Sequence, residues 1–392
     1  MKLDELIADL HTRCAALRRD LHAHPELAFG EWRTADIVAE KLAALGLEVH
    51  RGLAGTGVIG TLKVGSSARS IGLRADMDAL PIDELNAFDH RSRHPGQMHA
   101  CGHDGHTAML LGAAEALTAL RDEGRFDGSV HFIFQPAEEG DGGGRLMVEQ
   151  GLFTKFPMQA VFGLHNWPGL PVGQMAVMPG PIMAGTDRLE IVVTGRGGHA
   201  AMPHQATDTV VAASALVQAL QTLVSRNTEA FEPVVLSITR FHAGHADNVL
   251  PEEARLGGTL RTFSTGQQAL MADGIQRICD GIAVTYGVRV DLAVIPGYPP
   301  TINTAAETEL CQEVAAHLLG NPQVRKDLRP SMGAEDFSYL LREKPGCYVW
   351  LGNGAGSGGC MLHSPHFDFN DEIIPLGIRY WVGLVERVLS KH

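Results

Sequence analysis

The chain has 392 residues, 45% of them hydrophobic, and a formal net charge of −13. That length and apolar content can bury a large core and lead us to expect two domains rather than one. The acidic balance, with no block of basic residues, argues against nucleic acid or an anionic membrane as partner. The opening Met1-Lys2-Leu3-Asp4-Glu5-Leu6 carries acids where a signal peptide needs an apolar core. No apolar run approaches the ~20 residues of a membrane span. Six cysteines, at positions 14, 101, 279, 311, 347 and 360, show no framework spacing, so a reduced, cytoplasmic protein is expected.

Residues 3–22 and 31–46 have helical periodicity, the second ending at Gly46 as a C-cap would. Between them, His22 and His24 stand near a helix end, where histidines cap carbonyls more often than they bind metal. Segments 47–49 and 58–64 read as strands. Gly55-Thr56-Gly57-Val58-Ile59-Gly60 matches the dinucleotide-binding pattern letter for letter. That pattern works only after a strand and at the start of a helix whose N-terminus holds the pyrophosphate. The segment entered here is β-branched and ends in the turn Gly65-Ser66-Ser67, so a nucleotide site is rejected.

From residue 70 a theme repeats. The apolar strand 70–75 delivers Asp76-Met77-Asp78, and strand 129–135 ends in Pro136-Ala137-Glu138-Glu139-Gly140. Strand 160–164 delivers His165-Asn166-Trp167-Pro168. Ionisable residues at the exits of buried strands lie where open α/β sheets put their chemistry. Between the first two strands, His99, Cys101, His103 and His106 fall within eight residues, interleaved with glycines and leading into a helix at 106–121. A thiol and an imidazole two residues apart can face one metal ion from a turn, with Asp104 near enough to join as ligand or supporting partner. Taken alone, the stretch also reads as a His-rich loop around a buried cysteine.

Near 182–186 the pattern changes. A strand at 188–194, a helix at 207–225, strands at 234–241 and 254–263, a helix at 266–286 and a strand at 288–295 come next. This is the β-α-β-β-α-β order of a ferredoxin-like module. Residues 187–296 are therefore expected to form an insertion into an α/β, mixed open-sheet domain made of 1–186 and 297–392. The second part carries helices near 305–319, 334–343 and 374–390 and a strand at 347–351. A glycine-rich loop, 352–359, then leads to Cys360-Met361-Leu362-His363.

Collected, Cys101, His103, Glu139, His165 and His363 are five N, S and O donors from four loops. Such a set suits two adjacent transition-metal ions with room for water. Two ions ~3.5–4 Å apart could share a hydroxide and polarise a carbonyl oxygen. A carboxylate beside a ligand but not itself one is then needed to take and return the proton, and Glu138 fills that place. Asp78 would orient a ligand or tune the metals.

Seven segments, in this order, resemble the M20 metallopeptidase family, and within it the amidohydrolase branch. They are Gly72-Leu73-Arg74-Ala75-Asp76-Met77-Asp78, Met98-His99-Ala100-Cys101-Gly102-His103-Asp104-Gly105-His106 and Gln135-Pro136-Ala137-Glu138-Glu139-Gly140. Leu164-His165-Asn166-Trp167-Pro168, Gly197-Gly198-His199-Ala200-Ala201-Met202-Pro203-His204, Gly333-Ala334-Glu335-Asp336-Phe337 and Leu362-His363-Ser364-Pro365 complete the series. The Cys101 form of the metal loop is similar to that branch, whose members include hippurate hydrolases and plant auxin-conjugate hydrolases. The desuccinylase and carboxypeptidase branches usually place an aspartate there.

The resemblance implies metal ligands at Cys101, His103, Glu139, His165 and His363, with Glu138 as base and Asp78 as the active-site aspartate. It implies His199 as the group stabilising the oxyanion, often supplied by a partner subunit, and Asn248 and Arg261 as groups that hold the substrate and its carboxylate. It makes the insertion a lid and dimerisation domain. The expected activity is hydrolysis of N-acyl amino acids using two divalent ions (zinc, manganese, nickel or cobalt), in a homo-oligomer built on dimers. A dipeptidase or N-acyl-diaminopimelate deacylase would share every catalytic residue, and a metal-dependent amino-acid-binding protein would share the ligands without needing Glu138.

Overall fold

A computed structural model describes residues 3–354 and 360–391. Most of the glycine-rich loop, 355–359, therefore lies outside the described residues. In chain order, helices α1 (Leu3–Ala23) and α2 (Trp32–Ala44) precede strands β1 (Glu48–Leu53), β2 (Gly57–Val64) and β3 (Ser70–Asp76). Helix α3 (His103–Ala119), β4 (Gly128–Gln135), α4 (Gly143–Glu149), β5 (Ala160–Pro168) and the short β6 (Met175–Ala176) come after them. Next are β7 (Gly185–Thr194), β8 (Gly198–His199), α5 (Thr209–Thr222), β9 (Val235–Ala243) and β10 (Val249–Leu250). They are succeeded by β11 (Glu253–Thr262), α6 (Thr265–Tyr286) and β12 (Arg289–Pro296). The chain closes with α7 (Ala305–Leu319), β13 (Val324–Arg325), α8 (Ser338–Glu343), β14 (Gly346–Gly354) and α9 (Ile374–Val388). None of the described helices is long and apolar enough to cross a membrane.

Two compact units result: Met183–Thr301 with Pro330–Glu335 form the smaller, and the rest of the described chain the larger. The larger unit is built on an eight-stranded mixed sheet in the order β1-β2-β4-β3-β5-β14-β6-β13. Its four central strands, β4, β3, β5 and β14, are mutually parallel. Parallel strands are covered on both faces, which is why β3 and β5 read as continuous apolar runs and are buried along almost their whole length. Helix α3 packs against β3, α1 and α9, and its first fifteen residues are buried apart from Glu115, so this helix has no solvent face to show as periodicity. Leu110, Leu117, Ile378 and Trp381 belong to the core between these helices.

In the smaller unit, four antiparallel strands run in the order β9-β11-β7-β12. Residues on β7 alternate between buried and more accessible from end to end, the mark of a sheet with one covered face. Leu189, Ile191 and Val193 share a core with Ala212, Leu216 and Leu220 of α5 and Met271, Ile275 and Cys279 of α6. This strand order, with two helices on one face, is the ferredoxin-like arrangement expected from the sequence.

Two local expectations need correction, and two short strands were not expected. The helix expected at 334–343 starts only at Ser338, its N-cap position is Phe337, and no side chain caps it. The two-residue strands β6 and β13 escaped detection, being too short to show alternation. His22 and His24 behave differently: His24 Nδ1–H donates to the Asp20 carbonyl at 2.8 Å, as a helix-end cap, whereas His22 pairs with the buried Asp104 carboxylate at 2.8 Å. At 55–60 the glycines lead into β2 rather than a helix, in keeping with rejection of a nucleotide site.

Candidate active site

Because β3, β4 and β5 are parallel neighbours, Asp76, Gln135 and the end of β5 leave the sheet at the same edge. The loop before α3 reaches that edge by a sharp bend at Gly102, which has φ +98° and precedes the first helical residue. A Cβ at Gly102 would stand 2.3 Å from Asn166 Oδ1, so only glycine fits this approach.

The bend brings Cys101 Sγ to 3.4 Å from His165 Nε2. The donor atoms of Cys101, His103 and His165 all lie within 4.8 Å of one another, and those of Cys101, Glu139 and His363 do likewise. Cys101 thus belongs to both groups. Glu139 Oε1 also links them, at 3.2 Å from His363 Nε2 and 4.0 Å from His103 Nε2. Glu138 joins His103 and Glu139 in a third such group. All five expected donors and Glu138 are brought to one place.

The chemistry of this donor set fits bound cations. His103 Nε2 is buried with no hydrogen-bond partner, an arrangement that costs free energy unless a ligand occupies it. Burial, then the negative Glu139, Glu138 and Asp76, push the Cys101 thiol well above its usual range, a bias that a neighbouring dication reverses. Burial and the neighbouring His106 hold His165 well below 6.5, in the neutral form that ligates metal. For His103 burial acts downward, but Asp76, Asp78 and Glu139 outweigh it and raise the imidazole to about 10. The cluster has more carboxylate than buried cation to match it.

Partners behind these donors orient them. His103 Nδ1–H donates to the Asp78 carbonyl at 2.9 Å, with Asp78 Oδ1 at 3.2 Å, which turns Nε2 toward the carboxylates of Asp76 and Glu139. Asp78 Oδ2 accepts the Glu139 backbone N–H at 2.9 Å, so this carboxylate ties two donor loops together. His165 Nδ1–H donates to the Asn166 carbonyl at 2.6 Å, turning Nε2 toward Cys101. Asp76 instead accepts from His106 Nδ1 at 2.6 Å and from Arg74 Nη1 at 2.6 Å. The tandem acids therefore divide most of their work: Asp78 bonds the donor loops, while Asp76 bonds the layer beneath and also lies 3.7 Å from His103 Nε2.

Asp336 was missed by sequence reasoning, although it lies in one of the quoted segments. It is buried and accepts from Arg74 Nη2 at 2.9 Å, Gln135 Nε2 at 2.8 Å and the Gly144 N–H at 2.7 Å, so its side chain pins the loop that carries Glu138. His99 is buried, with neither ring nitrogen hydrogen-bonded, and burial holds it down at about 4, hence neutral.

In the smaller unit, exposed His199 lies on β8, paired with Val249 of β10. Its Nδ1 accepts the Ala201 N–H at 3.1 Å, so the neutral ring carries its proton on Nε2. Asn248 is exposed next to β10, and its carbonyl accepts the Ala200 N–H at 3.0 Å. Arg261 is half-buried on β11, on the sheet face opposite Leu260, and burial lowers its pKa.

Both the mixed sheet with its exit-edge donors and the inserted antiparallel module are those of a metallopeptidase of the M20 type. Residues 72–387 match the model of peptidase family M20/M25/M40, and the chain belongs to this family, in its amidohydrolase branch. It is a hydrolase of amide bonds. It is 39% identical over 390 residues to hippurate hydrolase of Campylobacter jejuni, covering 100% of both chains. To N-acetylcysteine deacetylase of Bacillus subtilis it is 39% identical over 381 residues, covering 97% of this chain and 98% of the other. Among solved structures, the Bacillus subtilis YXEP protein, a dinuclear metal-binding peptidase from the M20 family, superposes with a TM-score of 0.85. It shares 36% identity, with 98% of this chain and 100% of that one covered.

Proposed function

We propose that the chain hydrolyses the amide of N-acyl amino acids, of the hippurate or N-acetyl-amino-acid type, releasing a carboxylic acid and a free amino acid. The observation that carries this reading is the pair of donor groups sharing Cys101, with the non-shared carboxylate of Glu138 beside them. Cys101, His103 and His165 would hold one divalent ion and Cys101, Glu139 and His363 the other. Bound there, two such ions would polarise the scissile carbonyl and make water acidic enough to attack at neutral pH.

Glu138 takes a proton from the attacking water as the C–O bond forms, and delivers it to the nitrogen as the C–N bond breaks. His199, with its proton on Nε2, is assigned as hydrogen-bond donor to the developing oxyanion, from the same chain or a second copy. Asn248 and the always-charged Arg261 are assigned to the substrate and its carboxylate, for which a planar guanidinium is suited. A dipeptidase on the same scaffold would share these groups. The 39% identity over nearly the whole chain to a hippurate hydrolase and to an N-acetylcysteine deacetylase favours the amidohydrolase.

Purified chain reconstituted with zinc, manganese, nickel or cobalt is expected to release glycine from hippurate or free amino acid from an N-acetyl panel, and chelator should abolish the release. Turnover of unblocked dipeptides but of no N-acyl amino acid would reject the reading. Separately, Cys101→Ala removes a donor from both groups at once. Elemental analysis is expected to find metal content reduced well below that of the parent chain. Unchanged stoichiometry would take Cys101 out of the ligand set.

A further inference from the structure

Outside the donor cluster, the most unusual feature of the larger unit is the carboxylate of Glu31. Its residue is fully buried in the bend between α1 and α2. Oε1 accepts two backbone N–H groups, from Phe29 at 3.0 Å and Ala137 at 2.9 Å, and Oε2 accepts the Thr56 hydroxyl at 2.6 Å. Three separate loops meet on one side chain.

Those loops share a conformational problem. Four described non-glycine residues have left-handed backbones: Phe29 (φ +60°), Ala54 (φ +52°), Ala137 (φ +55°) and His363 (φ +65°). Glu31 bonds the N–H of two of them directly, and through Thr56 it holds the turn that contains the third. A left-handed alanine costs free energy relative to glycine and persists only where its surroundings over-determine it.

Ala137 is the residue before Glu138. Its N–H is held by Glu31 and its carbonyl accepts the Gly143 N–H at 2.9 Å. On the other side of Glu138, the Glu139 N–H is held by Asp78 Oδ2 at 2.9 Å. Glu138 therefore projects from a backbone clamped at both neighbouring peptides, and the left-handed turn at Ala137 sets the direction in which its Cα–Cβ bond leaves the chain.

We propose that Glu31 is a positioning residue for Glu138: by accepting the Ala137 N–H it holds a left-handed turn that aims the Glu138 carboxylate. The proposal rests on the reading of Glu138 as the base. Burial pushes the Glu31 carboxyl up to about 7, so near neutrality a large share of it is uncharged. An amide of the same shape then reproduces its acceptor at Oε1.

The test compares Glu31→Met, Glu31→Asp and Glu31→Gln in the full, metal-reconstituted chain, using the N-acyl amino acid that the parent chain turns over fastest. Glu31→Met removes the acceptor, and Glu31→Asp keeps a carboxyl group but draws it back by one methylene. Both are expected to lower kcat about tenfold or more, with KM and metal content within about twofold of the parent. Glu31→Gln should recover most of that loss. Adding Ala137→Gly to either impaired variant should also restore part of kcat, because glycine takes a positive φ without help. Wild-type kcat in Glu31→Met or Glu31→Asp overturns the proposal, as does a loss that tracks metal content or is equally large in Glu31→Gln. Should Glu31→Met not fold, Glu31→Asp alone decides by the same criteria. Glu138→Gln is measured alongside. If it is inactive while the Glu31 variants are wild type, only the positioning role fails; if it is active, the base assignment fails.

Discussion

Glu138→Gln is expected to lower turnover by about 10² or more while leaving metal content unchanged, because the amide keeps the shape of the side chain and loses its basicity. The neighbouring Glu139→Gln should do the reverse and lose metal first. The two carboxylates are adjacent in sequence, yet their surroundings differ. Glu139 Oε1 faces His363 Nε2 at 3.2 Å, and its backbone is fixed by Asp78. Glu138 is buried and shares a group with His103 and Glu139, but belongs to neither of the groups that contain Cys101. Elemental analysis beside steady-state kinetics separates the roles: kcat falling with metal intact marks a proton-transferring group, and kcat falling with metal marks a ligand. Near-wild-type turnover in Glu138→Gln would remove it from the mechanism.

Much of this site was legible in the sequence because each part has a local signature. A parallel strand buried on both faces is an apolar run, and the polar residue that ends it is conspicuous; Asp76, Glu138, Glu139 and His165 stand out for that reason. What could not be read were partnerships made only by the fold. Asp336 reaches Arg74 across 262 positions, and Glu31 reaches Ala137 across 106. No periodicity or spacing marks either contact, and a lone glutamate between two helices is an ordinary surface residue until its surroundings are seen. The same limit explains His22 and His24. A helix-end rule treats them alike, but His24 faces its own helix's carbonyl and His22 faces Asp104 at the start of α3. The late start of α8 has a related cause, since Asp336 is spent on Arg74, Gln135 and the Gly144 N–H rather than on a helix N-terminus.

Arg74→Met should give the largest loss of stability. The guanidinium is 1% exposed and donates to Asp76 Oδ2 at 2.6 Å, Asp336 Oδ1 at 2.9 Å and Gln135 Oε1 at 2.9 Å. Burial alone would raise the pKa of Asp76, but His103, Arg74 and His106 hold it well below the usual carboxylate range. Methionine fills comparable volume and leaves two buried carboxylates without the cation between them, which costs roughly 3–5 kcal/mol. Arg74→Lys should fall between, because an ammonium is a point charge and cannot serve three acceptors fixed around a planar fork.

Urea denaturation monitored by tryptophan fluorescence suits the measurement. Trp32, Trp167, Trp350 and Trp381 all lie outside Met183–Thr301 and Pro330–Glu335, so the signal reports the larger unit alone. Chelator should be present throughout, since bound metal would add its own linkage term. A change below about 1 kcal/mol would mean that water or protonation already relieves the two acids. If uncompensated charge is the cause, adding Asp336→Asn to Arg74→Met should return part of the loss, and the size of that non-additivity measures the pair itself.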